Sequence, residues 1–170
     1  MLPKNLILFL IFYILILFQT SFLSVFTVKG WAPNLVLFFL FWLTFFISSF
    51  KRKNSILAGV SWETFFAGFF LDIFSPHLIG FSILILFLNV FLIKKILKNL
   101  EKHNFFTFTF FLLVFQTLYT FFLSLVGYFP EKLDFSFFFE LSSAQLILNL
   151  PLAVVGFFLF RVLKRRKLII

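Results

Sequence analysis

The sequence predicts an all-α, polytopic membrane protein with six transmembrane helices. The 170 residues have a mean hydropathy of +1.13, and 62% of them are hydrophobic against 12% charged, whereas soluble domains carry about 25% charged residues. The apolar residues form long runs, most of them near the roughly 20 residues that cross a bilayer core. The basic residues lie between the runs, which is typical of a membrane protein and not of a nucleic-acid-binding surface.

The first two predicted spans are residues 5–28 and 34–50. The first run is too long for a signal peptide and lacks a small-residue cleavage site, so we expect it to be retained. Trp31 and Pro33 separate the two runs, because Trp favours the membrane interface and Pro suits the first turn of a helix. The second helix should therefore begin just after Pro33.

The other four predicted spans are residues 56–73, 78–93, 105–129 and 135–160. A turn at Ser75-Pro76-His77 divides the third span from the fourth, and a turn at Pro130 divides the fifth from the sixth. The longest hydrophilic segment, residues 94–104, is too short to hold a domain. Residues 1–170 are therefore predicted to form one integral membrane domain.

The distribution of basic residues predicts the orientation. Of the 15 Lys and Arg residues, 13 lie at the ends and in alternate loops, and only Lys29 and Lys132 lie on the opposite side. Cytoplasmic loops of membrane proteins are enriched in Lys and Arg. We therefore expect a multi-pass protein of the cytoplasmic (inner) membrane with both termini cytoplasmic; a five-span arrangement, which would place the basic C-terminal tail outside, is disfavoured.

Polar residues inside the spans are informative because burying them in lipid is costly. In the third span, Gly59 and Glu63 lie on one helix face, while Gly68 and Asp72 form a second i, i+4 pair. Glu63 and Asp72 lie about 180° apart around the helix, so they do not form a catalytic pair. Asp72 either binds a cation, proton or ligand, or accepts hydrogen bonds from the N–H groups that open the next helix, Ser82 included. We favour the second role.

Two polar stripes mark the last two spans. Their members are Thr109, Gln116, Thr120, Ser124 and Gly127 on the fifth span and Ser142, Gln145, Asn149, Ala153 and Gly156 on the sixth. The stripes indicate either a polar cavity or interhelical hydrogen bonds, and we favour the hydrogen bonds. Pro151 should bend the sixth helix, and Asn89 of the fourth span should join the same interior.

The sequence carries no catalytic signature. It has no nucleophile elbow, zinc-protease motif, P-loop or dinucleotide-binding motif, and it contains only 2 His and no Cys. His77 has no second metal ligand at a useful spacing. We therefore expect no catalytic residue, no cofactor and no metal site, and a protein that is not an enzyme.

Two motifs carry a family resemblance. Gln19 stands late in the first span and is followed by Pro33 and Asn34 before the second. The other motif consists of Gly68, three apolar residues, Asp72, a turn and then Gly80. Both resemble the bacterial rod shape-determining protein MreD family, in which many members have Asp where this chain has Asn34; the chain length and the six spans are also similar.

The resemblance implies a non-enzymatic membrane scaffold subunit of the cell-elongation machinery, which binds MreC and helps direct peptidoglycan synthesis and rod shape. RodA and a class B penicillin-binding protein are further implied partners, beside membrane lipids; no nucleic acid is expected, and a homo-oligomer stays open. The family is also thought similar in fold to the substrate-binding S component of energy-coupling-factor vitamin transporters, which supplies the alternative function. Against that alternative, residues 5–28 contain no Ala or Gly for a small-residue docking face. The candidate structural or partner-contact residues are Gln19, Pro33, Asn34, Gly59, Glu63, Gly68, Asp72, Gly80, Gln145 and Asn149.

Overall fold

The computed structural model describes residues 4–27, 32–50, 61–74, 79–97, 104–127 and 135–165. These residues form six α-helices and one short 3-10 helix, Leu23–Val25, and no strand. The α-helices are α1 Lys4–Ser21, α2 Leu35–Phe50, α3 Ser61–Ile73, α4 Phe81–Leu97, α5 Phe105–Gly127 and α6 Phe135–Arg165. The all-α class predicted from the sequence is therefore confirmed for this part of the chain.

Three helical segments are long and apolar enough to cross a membrane. They are Asn5–Val25, Phe105–Leu125 and Phe138–Val162, and α2 adds a shorter apolar stretch, Leu35–Phe46. The number of spans, predicted as six, stays a prediction.

The helix ends differ from the predicted spans where local chemistry favours a different boundary. Helix α1 ends at Ser21, short of residue 28, and α4 begins at Phe81 because Gly80 has a left-handed φ of +98° that ends the preceding turn. Helix α4 continues beyond residue 93 through Lys94 and Lys95, since cations near a helix C-terminus are stabilised by its dipole. Helix α6 continues through Pro151, whose missing hydrogen bond a membrane helix tolerates.

Helix α2 is the centre of the bundle and packs against each of the other five α-helices. Its buried side chains include Val36, Leu37, Leu40, Phe41 and Phe45. A helix that is apolar on all sides is suited to this central position. Around it, α1 packs on α3, α3 on α4, α4 on α5 and α5 on α6.

Aromatic rings form much of the core. The ring centroid of Phe108 on α5 lies 5.2 Å from that of Phe41 and 5.1 Å from that of Phe45. Phe115 lies 5.5 Å from Phe41, and Phe46 stacks on Phe160 of α6. Offset and edge-to-face ring pairs add to the packing of α2 against α5 and α6.

Helix α1 lies at the edge of the bundle. Phe12 and Ile16 are buried, but only 11% of the apolar stretch within Asn5–Val25 is buried. Among the α-helices it packs on α2 and α3. Much of its apolar surface is therefore not covered by the other helices.

Candidate functional site

Asp72 caps the helix that follows it. It lies near the end of α3 and is 2% exposed. The N–H of Gly80 donates to Asp72 Oδ2 at 2.7 Å, and the N–H of Ser82 donates to Oδ1 at 2.9 Å. The hydroxyl oxygens of Ser82 and Tyr119 lie 3.4 Å apart, which links this cap to α5. The hydrogen bond expected between Asp72 and Ser82 is present.

Gly68 lets the backbones of α3 and α4 touch. A Cβ atom at this position would lie 2.5 Å from Ile83 Cα and 2.7 Å from Ile83 N. Backbone atoms cannot yield to such a contact without moving the helix. Because Gly68 precedes Asp72 by one turn, this close approach brings the carboxylate to the start of α4.

A second cap, made of two carboxamides, opens α2. The N–H of Leu37 donates to Asn34 Oδ1 at 2.9 Å, so Asn34 is a helix N-cap. The N–H of Val36 donates to Gln19 Oε1 on α1 at 3.3 Å. Pro33, which precedes the cap, is buried. The two motifs therefore have the same role: a polar side chain late in one helix accepts hydrogen bonds from the start of the next.

Helices α5 and α6 are joined by a polar seam, which consists of Gln116, Thr120, Gln145 and Asn149. Gln116 Nε2 donates to Gln145 Oε1 at 2.8 Å, and Thr120 Oγ1 donates to the same oxygen at 3.2 Å. Asn149 Nδ2 donates to Gln116 Oε1. The interhelical hydrogen bonds favoured from the two stripes are present.

Not every buried polar atom of the bundle is paired. Among the residues that the structure describes, five buried side-chain atoms have no hydrogen-bond partner: Asn89 Nδ2 and Oδ1, Asn149 Oδ1, Thr109 Oγ1 and Ser142 Oγ. All five lie on α4, α5 or α6. Sequence reasoning placed Asn89 in the interior but did not show that neither of its amide atoms would be paired.

Glu63 lies in the first turn of α3, where a carboxylate is favourable to the helix dipole. Burial lowers the pKa of Lys94, which follows the predicted fourth span, and the negative charge of Glu63 opposes that change. The charge at the start of α3 therefore acts on the charge near the end of α4. Gly59, predicted to share a face with Glu63, lies outside the described residues.

One contact of α2 with α6 was missed by sequence reasoning. Trp42 Nε1 donates to the carbonyl oxygen of Gly156 at 2.8 Å. A Cβ atom on Gly156 would lie 2.5 Å from Phe38 Cζ. The only signal in the sequence was the position of Gly156 at the end of the sixth-span stripe.

The described residues contain no group of three or more His, Cys, Asp or Glu side chains that could hold a metal ion. The geometry therefore consists of two helix caps, a close glycine contact and a polar seam. No family model, no curated protein and no solved structure matches the chain.

Proposed function

We propose that this protein is a non-enzymatic scaffold subunit of the bacterial cell-elongation machinery, similar to MreD. It crosses the inner membrane six times with both termini cytoplasmic, binds MreC, and helps direct peptidoglycan synthesis and rod shape. The supporting observation is that Asp72, the one charged residue of the two MreD-like motifs, has both carboxylate oxygens hydrogen-bonded to the start of α4.

The use of the motif residues supports a scaffold. Gln19, Asn34 and Asp72 all accept hydrogen bonds from backbone N–H groups. These polar groups therefore hold helices at fixed positions. A rigid bundle with apolar outer faces is suited to binding other membrane helices, which associate by close packing and interhelical hydrogen bonds.

Partner capture tests the proposal. The protein is extracted gently from native membranes of a rod-shaped host and the co-purifying proteins are identified; in parallel the protein is depleted. We expect MreC in the complex, with RodA or a class B penicillin-binding protein, and rounded cells on depletion. Unchanged cell shape and a complex without any of these proteins would contradict the scaffold.

Two variants add a matched comparison. Gly68→Leu, which must separate α3 from α4, should reduce both MreC recovery and rod shape. Gly156→Ala changes a glycine of α6 whose added Cβ meets the far end of the Phe38 ring, which can shift, and it should leave both nearly unchanged. Equal recovery of MreC with both variants would show that the packing of α3 on α4 does not matter for the complex.

The alternative, an S component of a vitamin transporter, predicts a different purification. A bound vitamin, a transmembrane coupling subunit and a pair of ATPases would accompany the protein, and depletion would leave cell shape unchanged. The unpaired polar atoms on α4, α5 and α6 are the observation that favours this second function.

A further inference from the structure

Helix α4 has an exposed apolar face that ends at a lysine. The exposed apolar residues of this face are Leu84, Phe87, Leu88, Phe91, Leu92 and Ile96. Lys95, which is also exposed, lies about three full turns and about 16.5 Å along the axis from Leu84, and so on the same side of the helix. Half of the hydrocarbon core of a bilayer is about 15 Å thick. The apolar face therefore has about the depth of one membrane leaflet, with a cation at its end.

The end of α4 extends beyond the start of α3. The two helices are antiparallel, because Asp72 near the end of α3 caps the start of α4. Gly68 is level with Ile83, since a Cβ atom on Gly68 would lie 2.5 Å from Ile83 Cα. From this contact, Lys94 lies about 16.5 Å along α4, whereas Ser61, the first residue of α3, lies about 10.5 Å along α3. In the described part of the chain, α3 therefore does not run alongside the lysines at the end of α4.

The charges at this end of α4 are not balanced. Lys94 is half-buried, and burial lowers its pKa because the ammonium group loses solvation. Among the described residues, Glu63 is the one carboxylate whose charge acts on Lys94, and it faces two adjacent cations, Lys94 and Lys95. Residues 94–104 as a whole contain four Lys and one Glu. An additional anion beside the two lysines would therefore be favourable.

The combination of an apolar face and a cationic end identifies the occupant. A soluble anion would leave the apolar face uncovered. Partner helices in membranes favour small residues for close packing, and this face of α4 consists of large side chains only. We propose that the exposed face of α4 binds an anionic phospholipid, with its phosphate at Lys94 and Lys95 and an acyl chain along the apolar residues. The proposal rests on the proposed position of α4 as a membrane span, and not on MreC.

The first experiment measures the headgroup preference of the full-length protein. The purified protein in detergent is titrated with phosphatidylglycerol and with phosphatidylcholine of identical acyl chains, and native mass spectrometry counts the bound lipids. Each lysine near a headgroup should contribute about fivefold, so the anionic lipid should bind about 25-fold more tightly. Equal affinities would overturn the proposal. Displacement of the lipid by inorganic phosphate would also overturn it, because the site would then bind a free anion.

Matched variants locate the site. Lys94→Gln and Lys95→Gln should each weaken phosphatidylglycerol binding about fivefold and leave phosphatidylcholine binding unchanged. Arg161→Gln is the control: it removes the same charge from an exposed residue of α6, which does not pack on α4 in the described part of the chain. Equal losses in all three variants would show that net charge alone attracts the lipid, and would overturn the site.

Two further variants separate the lysines' charge from a structural role. Lys94→Arg keeps the charge and should retain the affinity, so an equal loss with Lys94→Arg and Lys94→Gln would contradict the proposal. Glu63→Gln removes the opposing carboxylate and should raise the affinity for phosphatidylglycerol; a decrease would overturn the assignment of Lys94 to the phosphate. None of these outcomes depends on MreC or on cell shape, so the lipid site and the scaffold can fail separately.

Discussion

At the scale of single residues, the decisive feature is that both carboxylate oxygens of Asp72, and not only one, accept hydrogen bonds. From sequence, an amide at this position should keep the capping oxygen and lose only the charge. The structure shows that Oδ1 and Oδ2 each accept a different N–H. An amide therefore keeps one hydrogen bond and turns its NH2 group toward the other N–H.

Asp72→Asn should therefore destabilise the protein by about 1–3 kcal/mol, because one buried N–H loses its acceptor. Asp72→Ala should destabilise the protein further, since both N–H groups lose their hydrogen-bond acceptor. Thermal unfolding in detergent, followed by tryptophan fluorescence, measures the order. If Asp72→Asn were fully stable and abundant in the membrane but inactive in maintaining cell shape, the charge itself would matter and a cation or proton site would gain support.

Gly68→Ala should already lower the free energy of unfolding, and Gly68→Leu should lower it more than Asp72→Asn does. The added Cβ meets backbone atoms of Ile83, so α3 and α4 must move apart. Gly156→Ala is the matched control, because its Cβ meets the far end of the Phe38 ring, which can shift. The free energy of unfolding should fall more for Gly68→Ala than for Gly156→Ala, and the reverse order would contradict the backbone contact.

At the scale of the helices, the same kind of helix cap occurs twice. Helices α2 and α4 both begin with N–H groups bound by a polar side chain from the preceding helix, Gln19 for α2 and Asp72 for α4. Each cap joins two helices and satisfies backbone donors that lipid cannot. The polar seam joins α5 to α6 by a different device, which uses side chains along the helices and not at their ends.

Asn34→Ala should lower the free energy of unfolding by about 1 kcal/mol, the usual cost of removing an N-cap. Asn34→Asp should be neutral or stabilising, because a carboxylate keeps the cap and is favourable to the helix dipole. Asn104→Ala is the control: Asn104 precedes α5, and its side chain makes no hydrogen bond to a described residue. Chemical denaturation of the three variants measures these differences, and equal losses at Asn34 and Asn104 would contradict the cap.

The polar seam predicts coupling between Gln116 and Asn149. Gln116→Leu and Asn149→Leu should each lower the free energy of unfolding. The loss in the double variant should be smaller than the sum of the two single losses. The interaction free energy should be about 0.6–2 kcal/mol, the range for hydrogen bonds between membrane helices. A double-mutant cycle in detergent measures it, and strict additivity would show that their hydrogen bond does not contribute to stability.

At the scale of the whole molecule, α2 organises the bundle because it contacts all five other α-helices, while α1 remains at the edge. Exposed apolar side chains consequently lie on the outer helices, and among the described residues α2 has none of the large exposed ones. The orientation stays a prediction, which rests on the 13 basic residues expected on one side of the membrane and the two expected on the other.

The topology is testable because the chain has no cysteine of its own. Single cysteines at Ser55 and Asn99 should be protected from a membrane-impermeant maleimide in intact cells, whereas one at Glu131 should react. Permeabilised cells provide the control, since all three positions should then be labelled. Labelling of Ser55 with protection of Glu131 in intact cells would invert the predicted orientation.

The sequence by itself determined the all-α class, the approximate positions of the apolar helices and the capping role of Asp72. These features depend on local quantities: the length of an apolar run, the cost of a carboxylate in lipid, and the residues within ten positions of Asp72. The helix ends that shifted, such as α4 passing through Lys94, did so where a cation at a helix C-terminus outweighs the end of the apolar run.

Only the tertiary structure decided which faces meet. The sequence pattern did not predict the central place of α2 or the hydrogen bond from the N–H of Val36 to Gln19. It also did not predict the contact of Trp42 with Gly156 or the unpaired amide of Asn89. In a soluble protein the apolar stripe of a helix identifies the buried face. In lipid, apolar side chains face both the bilayer and the core, so hydrophobicity does not distinguish them, and packing shape and a few hydrogen bonds choose the arrangement.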